Sequence, residues 1–209
     1  CHKVSSACHH CYIGQIMRRS GNEPFHGPMR TKTKWQSPQH WDRKARQKGK
    51  RLRVFTCSMS DFFHPGADAW RNEAWEIVQV CSNLDWLILT KRPELIQDRL
   101  PSDWEQGYPN VWLGVTMEDQ SQINRLDLLA KIPAAIRFVS AEPLLGPVHF
   151  GHRLKGLDWV ITGCEKAAKT KRRPMDTNWV RNIRDECRAN GVAIFHKQYY
   201  QGNQLIFDG

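Results

Sequence analysis

Three cysteines lie close together at the beginning of the chain: Cys1, Cys8 and Cys11, with the spacing Cys-x6-Cys-x2-Cys. A Cys-x2-Cys pair lets two thiolates reach the same metal centre. Three thiolates on a four-iron cluster leave one iron open, and an open iron binds a cofactor for reductive cleavage. The spacing therefore predicts a metal centre at the start of the chain, with an iron–sulfur cluster as one interpretation.

Structural zinc is the second interpretation of the same spacing, because zinc takes four ligands. Neighbouring histidines offer the fourth ligand: His2, His9 or His10. The other cysteines show no such spacing: Cys57, Cys81, Cys164 and Cys187. In a reducing compartment cysteines rarely form a disulfide framework, so the clustering matters more than the total of seven. Spacing alone leaves iron–sulfur and zinc both open.

The strands and helices that must position these cysteines are predicted from residue 51 onward. Short apolar runs rich in Val, Ile, Phe and Trp predict strands at residues 53–57, 86–90, 111–116, 137–140, 159–162 and 192–196. Amphipathic segments predict helices at 68–80 and 119–131, and a third helix that begins at Asp176 and ends at Asn190 and Gly191. Alternating strands and helices indicate an α/β fold with a parallel sheet.

Each predicted strand ends in a polar cluster. The clusters occupy residues 58–61, 90–92, 116–119, 140–143, 162–165 and 196–198. Helix caps explain some of these residues, since Ser, Thr and Asp are preferred there. In parallel α/β barrels the active site is assembled from the C-terminal ends of the strands. We therefore expect one polar pocket lined from six strands.

Positive charge is concentrated in two segments of the chain, whose formal net charge is +10. Ten Lys and Arg residues lie between Arg30 and Arg53, against the single acid Asp42. The second cluster contains Lys166, Lys169, Lys171, Arg172 and Arg173. Such clusters favour a polyanionic partner, but a solvated surface gives the same pattern. The stretch from 18 to 50 has no clean periodicity and predicts a long loop, or a loop with short helices.

The length of 209 residues predicts a single domain over 1–209. Within it, residues 1–50 form the cysteine-bearing and basic loop region, and residues 51–209 form the strand–helix repeats. No apolar run is long enough for a membrane helix, and the first residues lack the order of a secretory signal. We expect a cytoplasmic protein without a membrane partner. Because the chain begins at a cysteine without an initiator Met, we also expect a strand upstream of it.

Several longer motifs resemble a known family. They are CHKVS at 1–5, CHHCY at 8–12, SMSDFF at 58–63, LTKRP at 89–93, VWLGVTMEDQ at 111–120, RFVSAEPLLGP at 137–147, LDWVI at 157–161, RPM at 173–175 and HKQ at 196–198. In these motifs the chain resembles a phage-derived family of three-cysteine, radical-SAM-like proteins whose reaction is unassigned. At 163–167, where that family tends to have Gly-Gly-Glu-Ser-Gly, this chain has GCEKA followed by a basic insert.

The resemblance implies a partial (β/α)6 TIM-like barrel of the radical SAM type. It also implies a 4Fe–4S cluster on Cys1, Cys8 and Cys11, with S-adenosylmethionine (SAM) as cofactor and an electron donor as partner. The host cytoplasm is the expected location for a phage-encoded protein. The substrate is not identified by the resemblance.

The strand-end residues receive roles under this hypothesis. Ser58, Ser60 and Asp61 would hold the methionine amino and carboxylate groups of SAM, and Ser140 and Glu142 the ribose hydroxyls. The predicted cofactor-binding set also includes Thr116, Glu118 and Glu165. Side chains expected to face an anionic substrate are Lys91, Arg92, Lys197 and Gln198.

Two functions from different classes remain open. The first is a radical SAM enzyme that generates a 5′-deoxyadenosyl radical to modify a substrate, with a nucleic acid or nucleotide as one candidate. The second is a non-catalytic, zinc-stabilised protein that binds nucleic acid through the segment from Arg30 to Arg53. In that case Trp35 and Trp41 would stack on bases.

Overall fold

The computed structural model describes residues 1–31, 33–202 and 204–207, which form a mixed α/β fold around one seven-stranded sheet. The strands are β1 Leu52–Phe55, β2 Leu84–Thr90, β3 Val111–Thr116, β4 Ile136–Ala141, β5 Trp159–Gly163, β6 Ala193–Gln201 and β7 Gln204–Phe207. Their order in the sheet is their order in the chain. Strands β1 to β6 are parallel, and β7 pairs with β6 in the antiparallel direction.

Sequential parallel pairing determines the shape of the molecule. Crossovers between neighbouring parallel strands are right-handed, so the connections collect on one face of the sheet. The sheet curls into a half-barrel with β1 and β7 as its edges. The six predicted strands and the parallel α/β arrangement are thus confirmed. The largest differences in these strands are that β1 ends at Phe55 rather than 57, that β2 begins at Leu84 rather than 86 and that β6 extends to Gln201. The antiparallel strand β7 was not predicted.

The α-helices are α1 Ile13–Arg19, α2 Ser37–Gln47, α3 Arg71–Val80, α4 Asn124–Ala130 and α5 Thr177–Ala189. Helix α5 begins and ends as predicted. The side chain of Asp176 accepts a hydrogen bond of 2.8 Å from the Asn178 amide, and Gly191 takes a φ of +69° just after the helix. The same helix buries Ile183 and Cys187 against the sheet.

Two of the crossovers differ from the predicted strand–helix repeat. Helices α3, α4 and α5 connect β1 to β2, β3 to β4 and β5 to β6. The other two connections contain the 3-10 segments Pro93–Leu95, Gln97–Arg99 and Gly151–Gly156. Prolines are frequent in both connections, and each proline removes a backbone donor that an α-helix would need. In these two connections 3-10 segments take the place of an α-helix, and the sheet remains continuous.

Helix α2 lies in the region predicted to be mainly loop. It contacts β1 and β2, and the Asp42 side chain accepts a hydrogen bond of 2.8 Å from the Asn83 amide just before β2. Pro38 is at the start of the helix, where a missing backbone donor is tolerated. Lys32, which belongs to the same basic segment, lies outside the described residues.

The core lies between the convex face of the sheet and the helices. Alternate strand residues such as Ile88, Leu113 and Val160 pack there against Trp75 and Leu129. The residues between them point to the concave face. Among the described residues, no helix is both long and apolar enough to cross a membrane.

A tight contact inside the half-barrel gives a prediction about stability. Gly114 of β3 is the register partner of Phe138 of β4, and a Cβ atom at position 114 would overlap the Phe138 ring. We expect Gly114→Ala to lower the free energy of unfolding by about 1–3 kcal/mol, because the packed ring must move. Urea denaturation measures this change.

The matched control is Gly156→Ala, since a Cβ atom there meets no heavy atom within 4 Å. Its free energy of unfolding should stay within about 0.5 kcal/mol of the parent. Equal stability of the Gly114→Ala and Gly156→Ala variants would show that the ring contact is not restrictive.

Candidate functional site

A cavity of about 490 Å³ opens at the C-terminal ends of the parallel strands. Thirteen of the fifteen predicted site residues line it: Cys1, Cys8, Cys11, Ser58, Ser60, Asp61, Lys91, Arg92, Thr116, Ser140, Glu142, Glu165 and Lys197. The other two, Glu118 and Gln198, are buried and bond to lining residues, namely Lys91 and Glu142. The fold therefore brings the cysteines and the strand ends to one place.

The deeper wall of the cavity is apolar, which the sequence prediction missed. Leu87 and Leu89 of β2, Ile161 of β5 and Phe195 of β6 contribute side chains to it, and Tyr12 contributes an exposed ring. The cavity-facing residues of the strands could have been predicted, because successive side chains of a strand point to opposite faces of the sheet. Once the even-numbered residues of β2 are assigned to the core, the odd-numbered ones must face the cavity.

The cysteine-bearing segment, residues 1–12, is fixed to the half-barrel by a buried carboxylate. Glu118, which follows β3, accepts a hydrogen bond of 2.7 Å from the Ser5 hydroxyl. The same carboxylate is paired with Lys91 and with Arg125, the latter at 3.0 Å. Burial alone raises the pKa of Glu118, but the two cations outweigh it and hold the pKa below its ordinary value.

A second attachment involves Arg173, which follows β5 in the chain. Its guanidinium group binds both oxygens of the buried Glu165 and donates a third hydrogen bond, of 3.1 Å, to the carbonyl of Ser6. His10 Nδ1 lies 3.5 Å from the same carboxylate. Burial raises the pKa of Glu165 and Arg173 lowers it, and the net shift is downward.

A third attachment joins His2 to His64 and Arg92. The Gly66 amide donates to His64 Nδ1, so the proton of the neutral ring is on Nε2 and is donated over 3.0 Å to His2 Nδ1. Arg92 adds a hydrogen bond of 3.2 Å to the His2 carbonyl. His64 is buried, and burial together with the charge of Arg92 lowers its pKa to about 4. Nδ1 of His2 is thus engaged by a protein donor.

The three thiols differ in their surroundings. Cys8 is buried, yet backbone hydrogen bonds and the charge of Lys91 outweigh that burial and lower its pKa. Burial dominates at Cys11 and raises its pKa. Cys1 lies at the cavity with its Sγ 3.5 Å from the His2 carbonyl. Among the described residues, no three His, Cys, Asp or Glu side chains are close enough together to hold a single metal ion.

Asp61 has little capacity left for a ligand. One oxygen accepts from the Phe63 amide and the Thr90 hydroxyl, at 3.0 and 2.8 Å. The other accepts from the Lys91 amide and from the Arg92 guanidinium, both at 3.1 Å. Asp61 and Arg92 are both buried, so the pair organises the ends of β1 and β2 from within the protein.

Glu142 is more accessible. It accepts bonds of 3.0 and 3.1 Å from Lys197, whose side chain is 45% exposed, and a bond of 3.1 Å from Gln198. The Ser60 hydroxyl also lines the cavity, and it is buried without a hydrogen-bond partner among the described residues. Such an oxygen is stabilised when a ligand supplies the missing bond.

The basic segment between Arg30 and Arg53 lies outside this cavity. Arg30 pairs with Glu73, Arg51 pairs with Asp85, and Arg53 lies over the Trp112 ring. The other described cations of the segment are exposed on or beside α2: Lys34, Arg43, Lys44, Arg46, Lys48 and Lys50. Its role in binding a polyanion stays a prediction.

The environments of Asp61 and Glu142 predict different mutational effects. Asp61→Ala should lower the free energy of unfolding by about 3–5 kcal/mol, because it leaves the buried Arg92 without its partner. Glu142→Ala should cost about 1 kcal/mol or less, because Lys197 is largely solvated. Urea denaturation of the two variants distinguishes these cases, and equal losses would refute the assignment of Asp61 to an internal pair.

His64 predicts a dependence of stability on pH. Its pKa is about 4 in the folded chain and about 6.5 when unfolded, so between these values only the unfolded chain binds the proton. The free energy of unfolding should therefore fall, by up to about 3 kcal/mol, as pH decreases from 6.5 to 4. Above pH 6.5 this contribution should be constant.

His64→Gln should remove that part of the pH dependence, whereas His152→Gln, at an exposed position, should retain it. Urea denaturation at pH 7 and pH 5 measures both. An unchanged difference between the two pH values in His64→Gln would exclude His64 as its source.

Comparisons with known proteins add one result to this geometry. No curated protein and no solved structure matches the chain. A family model described as "Protein of unknown function (DUF5131)" matches residues 1–205, which include the three cysteines and all six parallel strands. The chain therefore belongs to the DUF5131 family of proteins of unknown function.

Proposed function

We propose that the protein is an iron–sulfur enzyme of the radical SAM type, built on a partial (β/α)6 TIM-like barrel. The observation that carries the proposal is the meeting of Cys1, Cys8 and Cys11 with the strand-end hydroxyls and carboxylates in one cavity. Active sites of parallel α/β barrels occupy this end of the sheet. The resemblance in motifs supports the same assignment.

By donor type, the residues present suit a cluster and a cofactor, although no three His, Cys, Asp or Glu side chains of the described residues lie close enough together to hold a single metal ion. Three thiols are suitable donors for iron, and the lowered pKa of Cys8 favours the thiolate that ligation requires. The unpartnered Ser60 hydroxyl is a second feature that a bound cofactor would complete. When bound, a four-iron cluster with one open iron supplies the electron for reductive cleavage of SAM.

The chain's own residues then have separate tasks. Ser58 and Ser60 are assigned to the methionine end of SAM, and Ser140 and Glu142 to the ribose hydroxyls. Leu87, Leu89 and Ile161 exclude water from the deep wall, which protects a reactive intermediate from side reactions. Lys197 is the cation of the predicted catalytic set with the most solvent contact, and it is assigned to the substrate.

Three carboxylates of the predicted cofactor-binding set are better suited to positioning. Asp61, Glu118 and Glu165 are buried and paired with arginine or lysine. Glu118 and Glu165 hold the cysteine-bearing segment, so their effect on a cofactor would pass through the thiols. Lys91 and Arg92 have the matching roles as their partners.

Anaerobic reconstitution tests the proposal. The parent protein should bind about four iron and four sulfide per chain and show broad charge-transfer absorption. Cys8→Ala and Cys11→Ala should lose most of both. Cys187→Ala is the matched control, because it removes a thiol buried between α5 and the sheet, and it should retain the cluster.

Incubation of the reduced protein with SAM should release 5′-deoxyadenosine, and the two cysteine variants should release none. The metal content of the parent protein distinguishes the iron–sulfur proposal from the zinc alternative. Stoichiometric zinc without iron or labile sulfide in the parent protein would contradict the proposal.

A further inference from the structure

The loop of residues 166–173, which we call the mouth loop, carries five cations in eight residues and no acid: Lys166, Lys169, Lys171, Arg172 and Arg173. Lys166, Lys169 and Lys171 are exposed. The nearest acid in sequence, Glu165, is paired with Arg173. The charged side chains of the loop itself are thus all positive.

Contacts at its C-terminal end give the mouth loop a defined conformation. The amides of Lys171 and Arg172 both donate to the carbonyl of Ala168, over 2.9 Å. The Arg172 guanidinium lies 3.4 Å above the centre of the Tyr200 ring, on the part of β6 that extends towards β7. A preorganised cationic loop loses little conformational entropy when it binds an anion.

The first residue of the mouth loop, Lys166, lies at the cavity. Two residues separate the loop from the end of β5, so it starts at the same edge of the sheet as the predicted cofactor residues. Lys166 itself lines the cavity, and so does Lys197 of β6. By contrast, no described cation between Arg30 and Arg53 lines the cavity. Helix α2 instead contacts β1 and β2.

Aromatic rings accompany these cations. Tyr12 lines the cavity and is 45% exposed, and the Arg172–Tyr200 pair offers a stacked planar surface. Nucleic-acid bases stack on aromatic rings and on arginine planes, while lysines contact the phosphates. A combination of rings and cations favours nucleic acid over a polyanion that has no bases.

We infer that the mouth loop, with Lys197 and Tyr200, binds a single-stranded nucleic acid and directs one of its nucleotides into the cavity. An unpaired base can enter a concave site directly, whereas a duplex must first be opened. The inference that this surface binds a nucleic acid is argued from the contacts of the mouth loop and does not depend on the proposed function. Only the reaction of the entering nucleotide rests on the proposed function.

Fluorescence anisotropy with a labelled 20-nucleotide RNA or DNA strand, measured over a range of salt concentrations without SAM, tests the inference. The triple variant Lys166→Ala, Lys169→Ala, Lys171→Ala should bind more weakly. Its slope of log affinity against log salt should be shallower by about two units, if each lysine neutralises one phosphate. The charge-preserving triple replacement by arginine should keep the parent slope.

The matched control removes the same charge from α2 and the residue that follows it, through Lys44→Ala, Arg46→Ala and Lys48→Ala. We expect this variant to bind like the parent. If it loses binding while the mouth-loop variant does not, the site is on α2 and the inference is wrong. A parent protein that binds no strand at low salt, that binds a duplex as tightly as a single strand, or that prefers anionic phospholipid vesicles would also overturn it.

Iron content measured on the same preparations separates the two proposals. Binding that depends on the mouth loop, in a protein that takes up no iron on anaerobic reconstitution, would support the nucleic-acid surface and contradict the cluster. A fully reconstituted cluster that releases 5′-deoxyadenosine, in a protein that binds no strand, would support the proposed function and refute the surface.

Discussion

The buried carboxylate of Glu118 is the interaction on which the candidate site depends. The cysteine-bearing segment forms no strand of the sheet, so side chains must hold it in place. Glu118 reaches Ser5 of that segment and is itself balanced by Lys91 and Arg125. A buried charge is tolerated only with such partners, and loss of one partner leaves the others uncompensated. The position of the thiols therefore follows from an ion cluster between β2, β3 and α4.

The same principle divides the polar residues at the strand ends into two groups. Asp61, Glu118 and Glu165 lie deep enough to require cations, and each has them. Glu142 and Ser60 lie in the cavity wall with capacity for a ligand. The degree of burial thus distinguishes carboxylates that form internal ion pairs from polar groups that can bind a ligand. Both kinds occur at equivalent places in the strand–loop repeats. Charge at a strand end is not in itself a sign of ligand binding.

The sequence predicts the six parallel strands well, because a parallel strand buried on both faces is a continuous apolar run that ends in a polar turn. It does not predict the short antiparallel strand β7. It also predicts which residues meet at the cavity, since parallel strands share one C-terminal edge. It does not predict that Glu118 accepts a hydrogen bond from Ser5, because the two residues are 113 positions apart and only folding brings them together. Helix α2 was not located within the segment predicted to be a loop or a loop with short helices. Its largely polar sequence leaves few apolar residues to reveal a period, with only Pro38 and Ala45 buried.

Within the described residues the half-barrel, unlike a closed barrel, has two strand edges, and a strand edge is a template for strand addition by another chain. Both edge strands here have only four residues. Arg53 lies within β1, and Arg51 just before it donates to the carbonyls of Ser82 and Leu84. Short edges and positive charge disfavour pairing with a second molecule. The open architecture is thereby protected against edge-to-edge aggregation, even though its concave face remains accessible.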